Sequence, residues 1–333
     1  MAANPSPLTA PTAEDFRAWH RVHAAALAHD RPGEPVPSED ALRAHLTTGS
    51  SAFRQVLWLV RGGGSGVEPL AVATQRLFTA PGRRHLAEVD LTVHPAHRRM
   101  GTGSRLLATV TEAAAGAGCR TVVIEAGAGT SGESFLRTRG FLAAARLTWL
   151  RLLLDDVPEA VRKLPELPHA GYRLTSWEGV VPESLAASLA HAKQAVADTP
   201  VGTLDCGPAE WDEDRVCEAA QVVARRGERL LTVAALAEAD GSVAGYTELV
   251  LPADASGIAR QYETAALPAH RGHGLGLWMK AEMLRLARAE HPEITEIKTD
   301  NADDNRHMLA LNSALGFRPL RRTVLYQLRL RVR

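Results

Sequence analysis

The sequence predicts an α/β protein of the α+β type, built as two tandem domains, each a mixed, mainly antiparallel sheet flanked by helices. Three observations predict it. At 333 residues the chain is longer than one hydrophobic core usually spans. "HPAHRRMGTGSRLL" at 94–107 returns without a gap as "LPAHRGHGLGLWMK" at 267–280, with Pro95 and Pro268 lying 173 residues apart, and "RTRGF" (137–141) returns as "SALGF" (313–317). Both halves also run through one order of elements.

In the first half, helical stretches near 13–29 and 38–48 precede the strand "QVLWLV", and "GGGSG" then turns the chain into "VEPLAVATQRLF" as a hairpin. "HLAEVDLTV" is a further strand, followed by the Gly-rich loop, a helix to about 117, the strand "TVVIEA", a helix near 131–139 and the strand "LTWLRLLL". Residues 155–171 carry three prolines among mixed charges and read as a linker. The second half opens on "YRLTSW", with helices near 181–197 and 208–226 and a long hairpin turning at Asp240-Gly241. "IARQYETAAL", the second Gly-rich loop with its helix, "ITEIKT", a helix near 303–315 and "TVLYQLRLRV" complete it. The predicted domains are 13–154 and 172–333, and residues 1–12 read as a flexible leader without the basic start and apolar run of a signal peptide.

Composition narrows the partners. Hydrophobic residues make up 45% and charged residues 23%, as in ordinary globular proteins. Lys+Arg and Asp+Glu both total 38, so no global field draws the chain to nucleic acid or anionic lipid. No apolar run is long enough to span a membrane. Cys119, Cys206 and Cys217 are an odd number without metal-ligand spacing and suit a reducing, cytoplasmic setting. The histidines show no metal-binding grouping, and no metal is expected.

Each repeat reads strand, proline, Arg-x-x-Gly-x-Gly, amphipathic helix. The glycines stand where a loop becomes a first helical turn, whose unpaired N–H groups and positive dipole end attract anions. Glycine lets backbone approach phosphate oxygens closely, and arginine adds charge-assisted contacts. The dinucleotide fingerprint and the mononucleotide P-loop do not fit this spacing.

Arg-x-x-Gly-x-Gly after a strand, followed some 40 residues later by "RGF" or "LGF", resembles the GNAT superfamily of acetyl-CoA-dependent N-acetyltransferases, here as a tandem pair covering nearly the whole chain. The resemblance implies that the loops hold the pyrophosphate of coenzyme A where two central strands splay. The implied binding residues are Leu91, Thr92, Val93, Arg98, Arg99, Met100, Gly101, Thr102, Gly103 and Ser104 in the first half. In the second they are Ala265, Ala266, Leu267, Arg271, Gly272, His273, Gly274, Leu275, Gly276 and Asn305. Since both loops keep the arginine and both glycines, two coenzyme A molecules per chain are expected. The family also implies a tyrosine seven residues after the asparagine, as the acid for the departing thiolate. That place holds Asn312, and the first half has Gly129 and Leu136.

Acetylating an amine needs a base, because an alkylammonium near pKa 10 must lose a proton before it attacks a thioester. Strand alternation in "VAGYTELV" puts Tyr246 and Glu248 on one face, as candidate acid and base beside the strand that leads to the loop. An offset of 172 matches them with Thr74 and Arg76, and on the next strand Glu88 and Asp90 match Gln261 and Glu263. Chemistry is therefore expected mainly in the second half, on a small-molecule primary amine, in a monomer or homodimer. The alternatives are a mycothiol synthase-like acetyltransferase, which shares the tandem arrangement, and a coenzyme-A-binding sensor or scaffold without turnover. His97 and His270 read as loop residues and Trp278 as helix packing.

Overall fold

The computed structural model describes residues 5–62, 68–196, 202–207, 209–254 and 256–330. The chain forms two compact units, Met1–Ala144 with Leu204–Gly207 and Val324–Arg333, and Ala145–Thr203 with Pro208–Thr323.

In the first unit β1 (Ser6–Pro7) leads to α1 (Ala13–Asp30), which a Thr12–Asp15 capping box starts, and to α2 (Glu39–Thr47). Then come β2 (Phe53–Arg61), β3 (Pro69–Phe78) and β4 (Leu86–Val93), antiparallel in turn, with β5 (Thr121–Gly127) parallel to β4. The "GGGSG" turn falls at 62–66, of which 63–66 lie outside the described residues. One face of the sheet is covered by α1 through Phe16, Trp19 and Val22. The other is covered by α3 (Thr102–Gly116), through Leu106, Leu107 and Val110, and by α4 (Ser131–Arg137) through Leu136.

The strand β6 (Leu142–Leu153) runs almost wholly in the second unit, and α5 (Glu159–Arg162) follows it. The predicted linker is thus packed structure, with Val157 and Val161 buried in the second core. Next come β7 (Tyr172–Glu178), α6 (Glu183–Val196), α7 (Glu213–Arg225), β8 (Arg229–Ala237), β9 (Val243–Leu251) and β10 (Ile258–Ala266). The unit continues through α8 (Leu275–Glu290), β11 (Glu296–Ala302) and α9 (Arg306–Ala314) to β12 (Arg318–Arg329). Here α6 covers one sheet face through Ala186 and Leu189, and α8 the other through Met279 and Met283. No helix among the described residues is long and apolar enough to cross a membrane.

The units depart from the 13–154 and 172–333 division at their closing strands. β6 pairs antiparallel with β11 and buries Leu150 and Leu152 in the second core. The end of β12 instead buries Val324 and Tyr326 in the first core, where the Tyr326 hydroxyl donates to Glu133 Oε1 (2.8 Å). Each repeat ends in a long apolar strand that either sheet can accept, because strand pairing uses backbone groups common to both.

In both units the parallel pairing stops early. It ends at Val89/Ile124 between β4 and β5 and at Arg260/Lys298 between β10 and β11, so the strands diverge toward the Gly-rich loops.

Candidate active site

Both loops have the same backbone. Gly101 and Gly274 stand just before α3 and α8 with φ of +80° and +75°, a left-handed turn that side chains resist. Two residues earlier Gly272 takes φ +81°, and its counterpart Arg99 adopts φ 64° despite its side chain. The second glycine serves packing, since a Cβ on Gly103 would lie 3.2 Å from Val93 and one on Gly276 3.0 Å from Leu311. Thr102 and Leu275 anchor the helix starts in the cores, while Met100 and His273 stay exposed. Ser104 accepts a hydrogen bond from Arg139.

The arginines differ. Each loop arginine donates through Nε to the strand before it, Arg98 to the Val93 carbonyl (3.2 Å) and Arg271 to that of Ala266 (3.3 Å). Arg98 also makes a bidentate pair with Asp30 at 2.7 and 2.6 Å, which holds the Asp30 carboxyl below its usual range. Arg271 has no carboxylate partner among the described residues. Its guanidinium remains available to an anion. Leu91, Thr92 and Val93 lie past the end of β4–β5 pairing, and Ala265, Ala266 and Leu267 past the end of β10–β11 pairing, so these segments line the two splays.

Beside the second splay, β10 carries a bulge between Gln261 and Thr264, so Tyr262 and Glu263 both stand opposite Glu248 of β9. Gln261 is buried and donates to the Glu248 carbonyl (2.6 Å) and to Thr247 Oγ1 (2.9 Å), which satisfies the interrupted ladder. Glu263 thereby reaches the face of Tyr246 and Glu248. The Tyr246 hydroxyl donates to Glu263 Oε2 at 2.5 Å, and Lys193 Nζ of α6 stands 2.9 Å from Glu248 and 3.5 Å from Glu263. The ammonium also lies over the rings of Tyr246 (4.6 Å) and Trp211 (4.8 Å).

The structure therefore brings Tyr246 and Glu248 together as predicted, but inside a cluster. The Glu248 side chain is 10% exposed and ion-paired, whereas that of Glu263 is 42% exposed. Burial, and next the neighbouring Glu263 carboxylate, push the Tyr246 phenol well above its ordinary value, which makes it a poor proton donor at neutral pH. Lys193 went unread in the sequence. Its signal was its place four residues after buried Leu189 on an otherwise apolar helix stripe.

Other candidates have structural partners. Asn305 caps α9 by accepting from the Met308 N–H (3.1 Å). Asn312 is fully buried, accepting from Lys280 Nζ (2.6 Å) and donating to Asn301 Oδ1 (2.6 Å). His97 faces Glu68 (3.1 Å), and His270 Nδ1 meets the Tyr172 hydroxyl (3.0 Å). Trp278 is buried and stacks on His169 with ring centres 4.3 Å apart. No metal-holding group of histidine, cysteine and carboxylate side chains occurs among the described residues.

The strand registers correct three of the predicted equivalences. Thr74 faces Asp90 and Val72 faces Thr92, while Tyr246 faces Ala265 and the bulge, with Glu263, faces Glu248. Glu248 thus corresponds to Thr74, and Tyr246 to Val72. Arg76, proposed as the counterpart of Glu248, corresponds to Val250, and Glu88 corresponds to Arg260 rather than Gln261. A fixed sequence offset misses this because β10 gains a bulged residue and the two hairpin loops differ in length. Asp90 keeps its match with Glu263. Above it stands His23 of α1, in the place of Lys193. Desolvation among surrounding groups raises the Asp90 carboxyl and lowers the His23 imidazole.

Comparison with known proteins agrees with this architecture. The family described as acetyltransferase (GNAT) matches residues 21–141 and again 191–317. A tandem GNAT protein from the clavulanic acid biosynthesis pathway is similar in structure, with a TM-score of 0.80, 25% identity, and coverage of 99% of this chain and 98% of that one. A GCN5-related N-acetyltransferase from Sphaerobacter thermophilus shares the fold at a TM-score of 0.69 and 19% identity, over 98% and 96% of the two chains. No curated protein sequence matches the chain. The family covers well over half of the chain, once in each repeat, and the chain therefore belongs to the acetyltransferase (GNAT) family as a tandem acyltransferase.

Proposed function

We propose that the protein transfers an acetyl group from acetyl-CoA to a primary amine of a small molecule, with the chemistry in the second unit. The observation that carries this reading is a juxtaposition in that unit of a loop arginine with no carboxylate partner among the described residues, a strand splay, and a carboxylate pair at the bulge beside it. These residues fit coenzyme A: Arg271 and the first turn of α8 suit a pyrophosphate, and the splay suits an extended arm.

Bound acetyl-CoA supplies the acyl group as a thioester. The chain's own residues recruit the amine and manage its proton. Glu248, Glu263 and Lys193 together carry one surplus negative charge, which favours a cationic acceptor. Glu263, the more open carboxylate, takes the ammonium proton at its carboxylate oxygen. Tyr246 holds Glu263 in place by donating to it, and Lys193 fixes Glu248 through its ion pair. Proximity contributes about 7–11 kcal/mol at most for well-oriented reactants. The resemblance to a protein of clavulanic acid biosynthesis supports an acceptor among natural products, antibiotics or their precursors.

A second reading, a coenzyme-A-binding sensor without turnover, is favoured by Asn312 and Leu136 at the positions where the family implies tyrosine. Incubation with acetyl-CoA, a thiol reporter and an amine panel tests both. Thiol release that requires an amine supports the enzyme, and binding of coenzyme A without release supports the sensor. A mycothiol synthase-like enzyme would show itself by the amine it accepts.

A further inference from the structure

The core of the second unit holds a buried lysine for which the chemistry above has no use. Lys280 of α8 is 2% exposed, its Nζ donates to Asn312 Oδ1, and it lies 5.1 Å from the Phe317 ring centre. No carboxylate pairs with it among the described residues. Asn312 passes the contact on by donating to Asn301 Oδ1, and Asn301 stands on β11 three residues beyond Lys298, where pairing with β10 ends. The chain of side chains runs from the helix core to the wall of the splay.

The first unit supplies a control within the same molecule. Through the repeat and the strand registers, Lys280, Asn312 and Asn301 correspond to Leu107, Leu136 and Ala126, all buried in the apolar core of the first unit. The fold is thus satisfied by three apolar residues at these places. Exchanging buried polar groups for well-packed apolar ones is commonly neutral or stabilising. Folding does not explain the polar triad.

Hydrogen-bond polarity says what the triad does. An ammonium has only donors, so it turns the Asn312 oxygen toward itself and the Asn312 amide N–H toward Asn301. Asn301 must then use its oxygen on Asn312, which leaves its Nδ2 as a donor without a partner among the described residues. We propose that Lys280, Asn312 and Asn301 form a donor chain that presents the Asn301 amide N–H to the thiolate sulfur departing in the splay between β10 and β11. This rests on the acetyl-CoA reading above. In that transfer the amine nitrogen bonds to the acyl carbon, the C–S bond breaks, and the sulfur leaves with the electron pair. The amine proton goes to Glu263, and solvent later protonates the sulfur. Asn301 acts on the sulfur directly, whereas Lys280 and Asn312 are positioning residues whose aligned bonds strengthen one another. Burial without a counter-ion draws Lys280 down to about 7, and negative charge growing on the sulfur favours its protonated form.

The test uses the Gly101→Glu background, in which only the second loop can hold coenzyme A, and follows the bound thiol by thiolate ultraviolet absorption against pH. The expected midpoint lies about one to two pH units below that of free coenzyme A, the span of one hydrogen bond to a charged group. Asn301→Ala and Lys280→Leu should return it to the free value, and Asn301→Asp should raise it above. With an accepted amine, Asn301→Ala should lower kcat by about 10–150-fold while KM for acetyl-CoA stays unchanged. The triple variant Lys280→Leu, Asn312→Leu, Asn301→Ala reproduces the first unit's residues and should fold with an unchanged or higher Tm. Bound coenzyme A whose thiol titrates identically in wild type and Asn301→Ala overturns the donor chain. Failure of coenzyme A to bind overturns the acetyl-CoA reading itself, so the two failures are distinct.

Discussion

The two Gly-rich loops share a backbone and differ in what their arginines face. Arg98 gives both outer nitrogens to Asp30 at the end of α1, while the same atoms of Arg271 meet no carboxylate among the described residues. The strands beside the loops differ as well. β4 pairs with β3 without interruption and places Asp90 beneath His23, whereas the bulge in β10 swings Glu263 onto Tyr246, Lys193 and the neighbourhood of Glu248. One repeat has thus kept the ligand-shaped backbone and neutralised its charge. The other has kept the charge and added a second carboxylate. The backbone is alike in both loops, and the side chains at equivalent sites differ.

The sharpest way to break this contrast is to block each loop in turn. Gly274→Glu places a bulky anion at the second loop and should abolish turnover, while Gly101→Glu should leave an active enzyme, as a steady-state acetylation assay would read. The opposite pattern would move the chemistry to Asp90 and His23. Next in size is the base. Glu263→Gln should slow the reaction by about 10²–10⁴-fold, the usual consequence of losing a general base. If Glu248→Gln alone produces that loss, the two carboxylates exchange roles.

Removing the buried cation should cost stability. Lys193→Met leaves Glu248 buried without its partner, which costs about 3–5 kcal/mol, to be read as an earlier denaturation midpoint that Glu248→Gln in the same chain largely restores. Lys280 behaves oppositely with pH. Its folded value, about 7, lies below the ordinary 10.5, so the folded state loses stability as pH falls from about 10.5 to about 7 and no further below that. Lys280→Leu should therefore raise the Tm most at and below neutral pH, and by little at strongly alkaline pH.

A smaller effect concerns stoichiometry. With Arg98 engaged, calorimetry should find coenzyme A tight at the second loop and weak at the first. Asp30→Ala frees Arg98 and should tighten the first site by about 10-fold or more, toward the two molecules per chain that the sequence alone suggests. An unchanged first site after Asp30→Ala would show that the splay or the missing Asn305 equivalent, and not the arginine, limits binding there.

Much of this was legible in the chain because it is local. The left-handed turns at Gly101 and Gly274, the helices they start, and the alternation that puts Tyr246 and Glu248 on one face are set by residues adjacent in sequence. The repeat carried the family and the tandem architecture, since both loops and both closing "GF" pairs kept their spacing. The false match of Glu248 with Arg76 arose where a bulge and unequal hairpin loops broke that spacing.

The sequence by itself determined two copies of one fold, a phosphate-shaped loop in each, and carboxylates on the strands beside them, because turn geometry, helix starts and strand alternation depend on neighbouring residues. Only the tertiary structure decided that β6 completes the second sheet and the end of β12 the first, that Asp30 neutralises Arg98, that Lys193 lies between Glu248 and Glu263, and that Lys280 reaches Asn301 through Asn312. The side-chain contacts among these join residues 11 to 70 positions apart. Their energies depend on register and burial, which no local pattern encodes.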